Sequence, residues 1–153
     1  MTIAQAVRQV TAPLLLLFVA ACGLIGPSDE DVTDFCAEVI PVIAEWRPAA
    51  LEPYATDGFN QRVGQPEQAR VFAAFSRLGA LTSFEQPRKV GYFTSTGAGT
   101  HVVVEVPARF ANGPAVLRMT LQSKGGALKL HALDVRAATL GNPPAPPNVE
   151  HQI

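Results

Sequence analysis

His101 and His131 lie with Glu105, Arg118 and Gln122 in stretches where polar and apolar residues alternate, and these side chains are the best equipped for chemistry in the chain. A histidine beside a carboxylate can work as a general acid–base pair, because an imidazole titrates near neutrality and a neighbouring acid orients it and offsets its charge. Asp134 lies close enough to His131 to be re-aimed with it if the strand is irregular there. A solvated sheet face would carry the same residue types. Two histidines on separate strands, with no third ligand at a set spacing, are not a metal signature, so no metal is expected. No cofactor is expected either. The chain has no nucleophile elbow, phosphate loop, zinc knuckle or dinucleotide-binding glycine pattern. Gly97-Ala98-Gly99 falls between two alternating stretches instead of before a helix, so it reads as a turn and not a phosphate cradle.

The two cysteines carry different signals. Cys36 falls among Phe35, Val39 and Ile40 at helical spacing and is expected to be a small buried hydrophobe. A reactive thiol needs a cationic, exposed setting that this pattern does not offer. Cys22 ends an apolar run, Val10 to Ala21, that follows Arg8. That run is too short to span a bilayer, which takes about 20 apolar residues. It fits the hydrophobic region of a signal peptide, with the small residues Ala20 and Ala21 at the cut.

Val19-Ala20-Ala21-Cys22 resembles the lipobox of bacterial lipoproteins. The resemblance implies cleavage after residue 21, lipidation of Cys22 and anchoring by two or three acyl chains, since one chain holds a protein only marginally. It implies a protein of the cell envelope. Gly23 stands where an Asp would signal retention at the inner membrane, so in a Gram-negative host the expected place is the outer membrane, facing the periplasm.

Beyond the signal, the chain is long enough for one domain with a real core. Twelve basic and thirteen acidic residues give a formal charge of −1, so no broad basic field exists to attract nucleic acid or an anionic membrane surface. The reading divides the chain into a signal peptide at 1–21, a lipidated tether at 22–28, one domain at 29–140 and a Pro-rich disordered tail at 141–153.

The elements that must position the candidate side chains follow from periodicity. Ser28 with Asp31 resembles a helix-capping pair, and Val32, Phe35, Cys36, Val39, Ile40, Ile43 and Trp46 or Arg47 step by three and four. Pro41 predicts a kink or two shorter helices, with Pro48 marking the end. Residues 51–65 read as a loop with at most one helical turn. Pro66 suits the first turn of a second helix, whose stripe is Val71, Ala74, Phe75 and Leu78 with Phe72 at its edge, stopping at Gly79.

From Arg88 the period becomes two. Strands are expected at Arg88–Ser95, His101–Phe110, Ala115–Ser123 and Ala127–Ala137, joined by turns at 96–99, 112–114 and 124–126. Val102, Val104, Val106 and Ala108 form one face, and Leu117, Met119 and Leu121 another. The inward set shifts from Leu128 and Leu130 to Leu133 and Val135, a slip that a β-bulge produces. Helices first and then about four strands predict an α+β fold, with N-terminal helices packed on a curved antiparallel sheet arranged as a meander. His101, Glu105, Arg118, Gln122 and His131 would then share its exposed face. Tyr54, Phe59, Trp46 and Tyr92 are large groups at loops and element ends, where they either plug the core or line a pocket.

Phe75-x-x-Leu78-Gly79, Val102-x-Val-x-Val-Pro-Ala-x-Phe110-x-Asn112-Gly113, and Leu128-Lys129-Leu130 after a Gly-Gly turn resemble the cystatin-like cone fold of nuclear transport factor 2-like domains, among them small exported bacterial proteins. The resemblance spans residues 30 to 138; Leu128 stands where those domains usually carry a Trp. It implies a bent sheet around helices, a pocket at the wide end, no single activity, and dimerisation through the sheet. The expected role is a non-enzymatic binding or scaffolding module for an envelope protein or a small ligand, with His101, Glu105, Arg118 and His131 as the candidate face. The alternative is a cone-fold enzyme using His/Glu acid–base chemistry in a pocket.

Overall fold

The first helix, α1 (Asp29–Ile43), begins where Ser28 and Asp31 cap each other. The Asp31 N–H donates to the Ser28 hydroxyl oxygen at 3.0 Å, and the Ser28 N–H donates to the Asp31 carboxylate at 3.0 Å. Hydrogen bonds from the Ser28 side chain and backbone hold the Asp31 carboxyl below its ordinary value. The structure, a computed structural model, describes residues 26–140. The signal segment, the lipobox with Cys22 and the tail at 141–153 lie outside the described residues.

Pro41 does not divide α1, which runs unbroken through it to Ile43. It sits in the last turn, where its missing N–H costs one hydrogen bond and little helix remains beyond it. The chain leaves the helix before Trp46, which takes a left-handed φ of 54°. That conformation is uncommon for a bulky residue. It accompanies burial of the indole against Phe75 and Phe110, with ring centres 5.5 and 5.6 Å away.

Residues 48–63 are more ordered than a loop. Pro48–Tyr54 forms 3-10 turns, and α2 (Asp57–Val63) follows, its first turn capped by the Thr56 hydroxyl, which accepts from the Phe59 N–H. Helix α3 (Pro66–Phe75) starts at the proline as expected. Phe72, expected at the edge of the stripe, is buried at 4% exposure, and Phe75 and Leu78 pack into or against the core as predicted, while Val71 is 38% exposed and leaves the stripe.

Five strands, not four, form an open antiparallel sheet: β1 (Leu81–Phe84), β2 (Arg88–Ser95), β3 (Gly99–Phe110), β4 (Gly113–Lys124) and β5 (Ala127–Arg136). Strand β1 has four residues and no alternation to betray it. It pairs with the Ala108–Phe110 end of β3, while β2 pairs with Gly99–Glu105, so both lie along the same side of β3. The β2–β3–β4–β5 part is the predicted meander. The predicted bulge is present: Leu121 pairs with Leu130 and Thr120 with Ala132, leaving His131 as the extra residue.

One sheet face carries Val102, Val104, Val106, Leu117, Met119, Leu121, Leu130 and Val135 into a single core with Val32, Cys36, Val39, Ile40 and Ile43 of α1. Cys36 is fully buried and unpaired, and burial pushes its thiol up to about 12, so it is inert at neutral pH. Leu51, Phe59 and Phe72 bring the other helical segments into the same core.

The two sides of the sheet end differently. On the β5 side, Ala55 bridges Leu130 in parallel and the Thr56 N–H donates to the Leu130 carbonyl at 3.0 Å. Arg62 donates to the His131 carbonyl and Lys129 to the Pro53 carbonyl. Residues 53–62 thus meet the backbone of β5 at Leu130 and His131. Among the described residues, β2 has no strand on its far side.

Candidate functional site

Strand pairing decides which candidate residues meet. His101 pairs with Phe93 on β2 and Gln122 on β4. It was expected on an exposed face but is only 3% exposed, which corrects that expectation. Its ring stacks flat on Phe93, with centres 4.7 Å apart and planes 4° from parallel, and meets the edge of His131 at 4.9 Å. A histidine that alternates outward is thus covered by one neighbour from β2 and one from the β5 bulge. Its Nδ1 is buried without a hydrogen-bond partner.

The bulge turns His131 toward His101, as the phase slip suggested. The His131 Nδ1 lies 3.4 Å from the Thr56 hydroxyl, a long contact. Burial, then the proximity of His101 and of the Arg62 cation, moves His131 below the ordinary histidine value. The neutral imidazole is therefore the favoured form at neutral pH.

Glu105 and Arg118 make a separate cluster. Glu105 pairs with Arg118 across β3 and β4, and Arg118 with Asp134 across β4 and β5. The Arg118 Nη1 donates to the Glu105 Oε1 at 3.3 Å, and Arg88 approaches the other oxygen at 3.9 Å. Asp134 bonds Arg136 at 3.1 Å. Glu105 stands four residues from His101 on one strand, about 13 Å away along the backbone. The histidines therefore join each other and the carboxylate joins arginines. A His–Glu acid–base pair does not form, and the four candidates do not converge on one centre. Among the described residues no group of three or more His, Cys, Asp or Glu is placed to hold a metal ion.

The large aromatic residues divide in the same way. Trp46 and Phe59 are core, Tyr54 is half-buried against it, and only Tyr92 stands out, 57% exposed. It belongs to a row that sequence reasoning missed as a surface: Val90, Tyr92 and Phe93 on β2 are all 46–57% exposed. Gln122 secures the β2–β3 hairpin by donating to the Ala98 carbonyl. A signal was present in the sequence. Tyr92 and Phe93 are adjacent, so one aromatic ring must appear on each face of an alternating strand.

No protein-family model, curated protein or solved structure matches the chain. The protein class defined by the fold is an α+β domain in which, among the described residues, a helical segment meets β5 and no strand lies beyond β2.

Proposed function

We propose that this protein is a cell-envelope lipoprotein, held at a membrane through lipid on Cys22, whose cone-type domain acts as a non-enzymatic binding or scaffolding module. In a Gram-negative host it faces the periplasm from the outer membrane. The nuclear transport factor 2-like and cystatin-like likeness belongs to this reading, supported by the order of helices and strands.

The observation that carries the binding role is the β2 edge. Native sheets usually protect such an edge with charges, prolines or a covering segment. Here β2 has one irregularity, between Lys89 and Gly91, yet among the described residues it still presents Val90, Tyr92 and Phe93 half-exposed with no strand beyond it. A protein partner fits that surface better than a small ligand, because an edge strand offers unpaired backbone groups over an extended length and no enclosed space. The enzymatic alternative has one supporting observation, the unpartnered Nδ1 of buried His101. It lacks a carboxylate to work with that ring.

Two measurements on the full chain in its own membranes test the proposal. Cys22→Ser should release the protein to the soluble fraction or leave an uncleaved precursor; fully processed, membrane-bound mutant protein removes the anchor. A photo-crosslinking residue at position 92 should capture a protein, and the same residue at exposed Glu67 on α3 should not. No adduct at position 92, or equal adducts at both sites, removes β2 as the docking edge.

A further inference from the structure

We infer that the sheet face opposite the helices lies against the anionic headgroups of the membrane, with the helices turned away from it; this rests on the lipid anchor at Cys22. It leaves β2 at the side of the domain, where a protein can still reach its edge.

The near-zero net charge conceals a segregation of sign. From Asp29 to Arg70 the chain carries nine acidic and three basic residues, and from Arg77 to Arg136 three acidic and eight basic. The first stretch forms α1, α2 and α3, and the second supplies all five strands. Helix α1 alone has five acidic residues and no basic one. The chain as a whole has no broad basic field, as its composition indicates, but the fold stacks an acidic layer on a basic one.

Strand register concentrates the basic groups on one face. Val104, Met119 and Leu121 point into the core shared with α1. Successive side chains alternate, so Glu105 and Arg118 point the other way. Arg88, Glu105, Arg118 and Asp134 form one row across β2, β3, β4 and β5. Arg136, in register with Val116, and Arg109, in register with Pro114, extend the same face toward the far end of the sheet. Four guanidinium groups thus share this face with the carboxylates of Glu105 and Asp134. Their internal pairing is loose. Glu105 lies 3.3 Å from Arg118 and 3.9 Å from Arg88, and Asp134 lies 3.1 Å from Arg136. Arg109 is exposed and has no ion pair among the described residues. Surface pairs of this kind are weak and exchangeable. A guanidinium grips phosphate oxygens through parallel N–H donors, which suits a surface of lipid phosphates. Phe93 adds an exposed ring to the same face, the kind of group that interfacial surfaces bury at headgroup depth.

The start of the described chain sets which edge is nearest the bilayer. Gly26 lies against the Tyr92 ring so closely that a Cβ there would meet Cε2 at 2.5 Å. Lys89 holds the Pro27 carbonyl and Asp29, both at 2.7 Å. The domain therefore begins beside β2. Cys22 is four residues upstream of Gly26, a reach of at most about 14 Å. A sheet with its side chains is roughly 10 Å thick, so the anchor can pass the β2 edge and enter a bilayer beneath the open face. Sheet-down, the arginines lie within about one Debye length of the headgroups, where each basic residue is attracted. Helix-down, the acidic residues of α1 would be pressed against the same negative surface.

The test uses the full acylated chain in vesicles of equimolar phosphatidylcholine and phosphatidylglycerol, with a nitroxide quencher on the lipid headgroups. A fluorophore is attached through Thr120→Cys, at the centre of the open face between Val103 and Ala132, or through Ala37→Cys, on the exposed side of α1. Cys36 is buried and does not compete for the label. Quenching at position 120 should be at least roughly threefold that at position 37 in about 0.1 M salt. The preference should vanish in pure phosphatidylcholine, and in about 1 M salt, where the Debye length shrinks to about 3 Å. Arg109→Glu should reduce it at least roughly twofold, while Arg70→Glu on α3, the same change of charge in the other layer, should not reduce it. Equal quenching at the two positions, stronger quenching at position 37, or a preference indifferent to lipid charge overturns the orientation. Flotation with the vesicles separates this failure from that of the anchor. Wild-type protein that does not float removes the anchor and the orientation with it; wild-type protein that floats without a preference removes the orientation alone.

Discussion

At the β5 edge, residues 53–62 lie over the strand: Thr56 bonds the Leu130 carbonyl, Arg62 the His131 carbonyl, and Lys129 reaches back to Pro53. At the β2 edge, the strand stands beside β3 with two aromatic rings and a valine in solvent. Both edges end the same sheet, and an unprotected edge invites another chain. Among the described residues, then, one edge is met by a helical segment of the same domain and the other has no segment paired along it. The histidine pair belongs to both ends. His131 sits in the bulge of the covered strand, and His101 stacks on Phe93 of the bare one.

The contrast can be broken by mutation, beginning with the largest effect. Leu130→Ala removes a fully buried side chain beneath the covered edge and should destabilise the domain by about 2–5 kcal/mol in urea unfolding. A loss under about 0.5 kcal/mol, typical of surface sites, would mean that the β5 edge is not packed as described. Thr56→Ala removes the α2 cap and the contact to His131, and should cost about 0.5–2 kcal/mol in the same assay. An unchanged midpoint would separate the covering segment from the stability of the strand beneath it.

A smaller effect should appear with pH. His131 is depressed in the folded protein, so the unfolded chain binds its proton more readily. This linkage leaves stability unaffected above the ordinary value of 6.5 and lowers it as pH falls below that, levelling off once the folded histidine is also protonated. The fall in unfolding midpoint between about pH 7.5 and about pH 5 should be smaller in His131→Gln than in the wild type. Equal slopes would place His131 in a solvated setting. Least affected should be Tyr92→Ser at the bare edge, with a stability change in the monomer within about 0.5 kcal/mol. A large loss there would show that Tyr92 supports its own domain and is not held out for another surface.

Local signals carried much of this architecture. The Ser28–Asp31 spacing located the start of α1, and the two-residue alternation located β2 through β5 to within a few residues. The slip between Leu130 and Leu133 located the bulge that frees His131. These features depend on neighbours within a few positions, which is why they can be read along the chain. The segment at 48–63 could not be read that way. It has little periodicity of its own and takes its order from docking Leu51, Phe59 and Thr56 against distant β5. β1 escaped notice because its partner, the end of β3, lies more than twenty residues away.

The candidate site was legible in composition but not in arrangement. His101 was correctly opposed to Val102 on its strand, yet its burial depends on Phe93 and His131, which arrive from two other strands. Glu105 was named with the histidines, and its register partner Arg118 draws it into a different cluster. By itself the sequence determined the caps, the strand periods, the bulge and the near-neutral charge, because these are properties of composition and short-range spacing. Only the tertiary structure decided which strand is left at the edge, which histidine is buried and which charges pair. Those outcomes are set by pairing between segments far apart in the chain, and no local period encodes them.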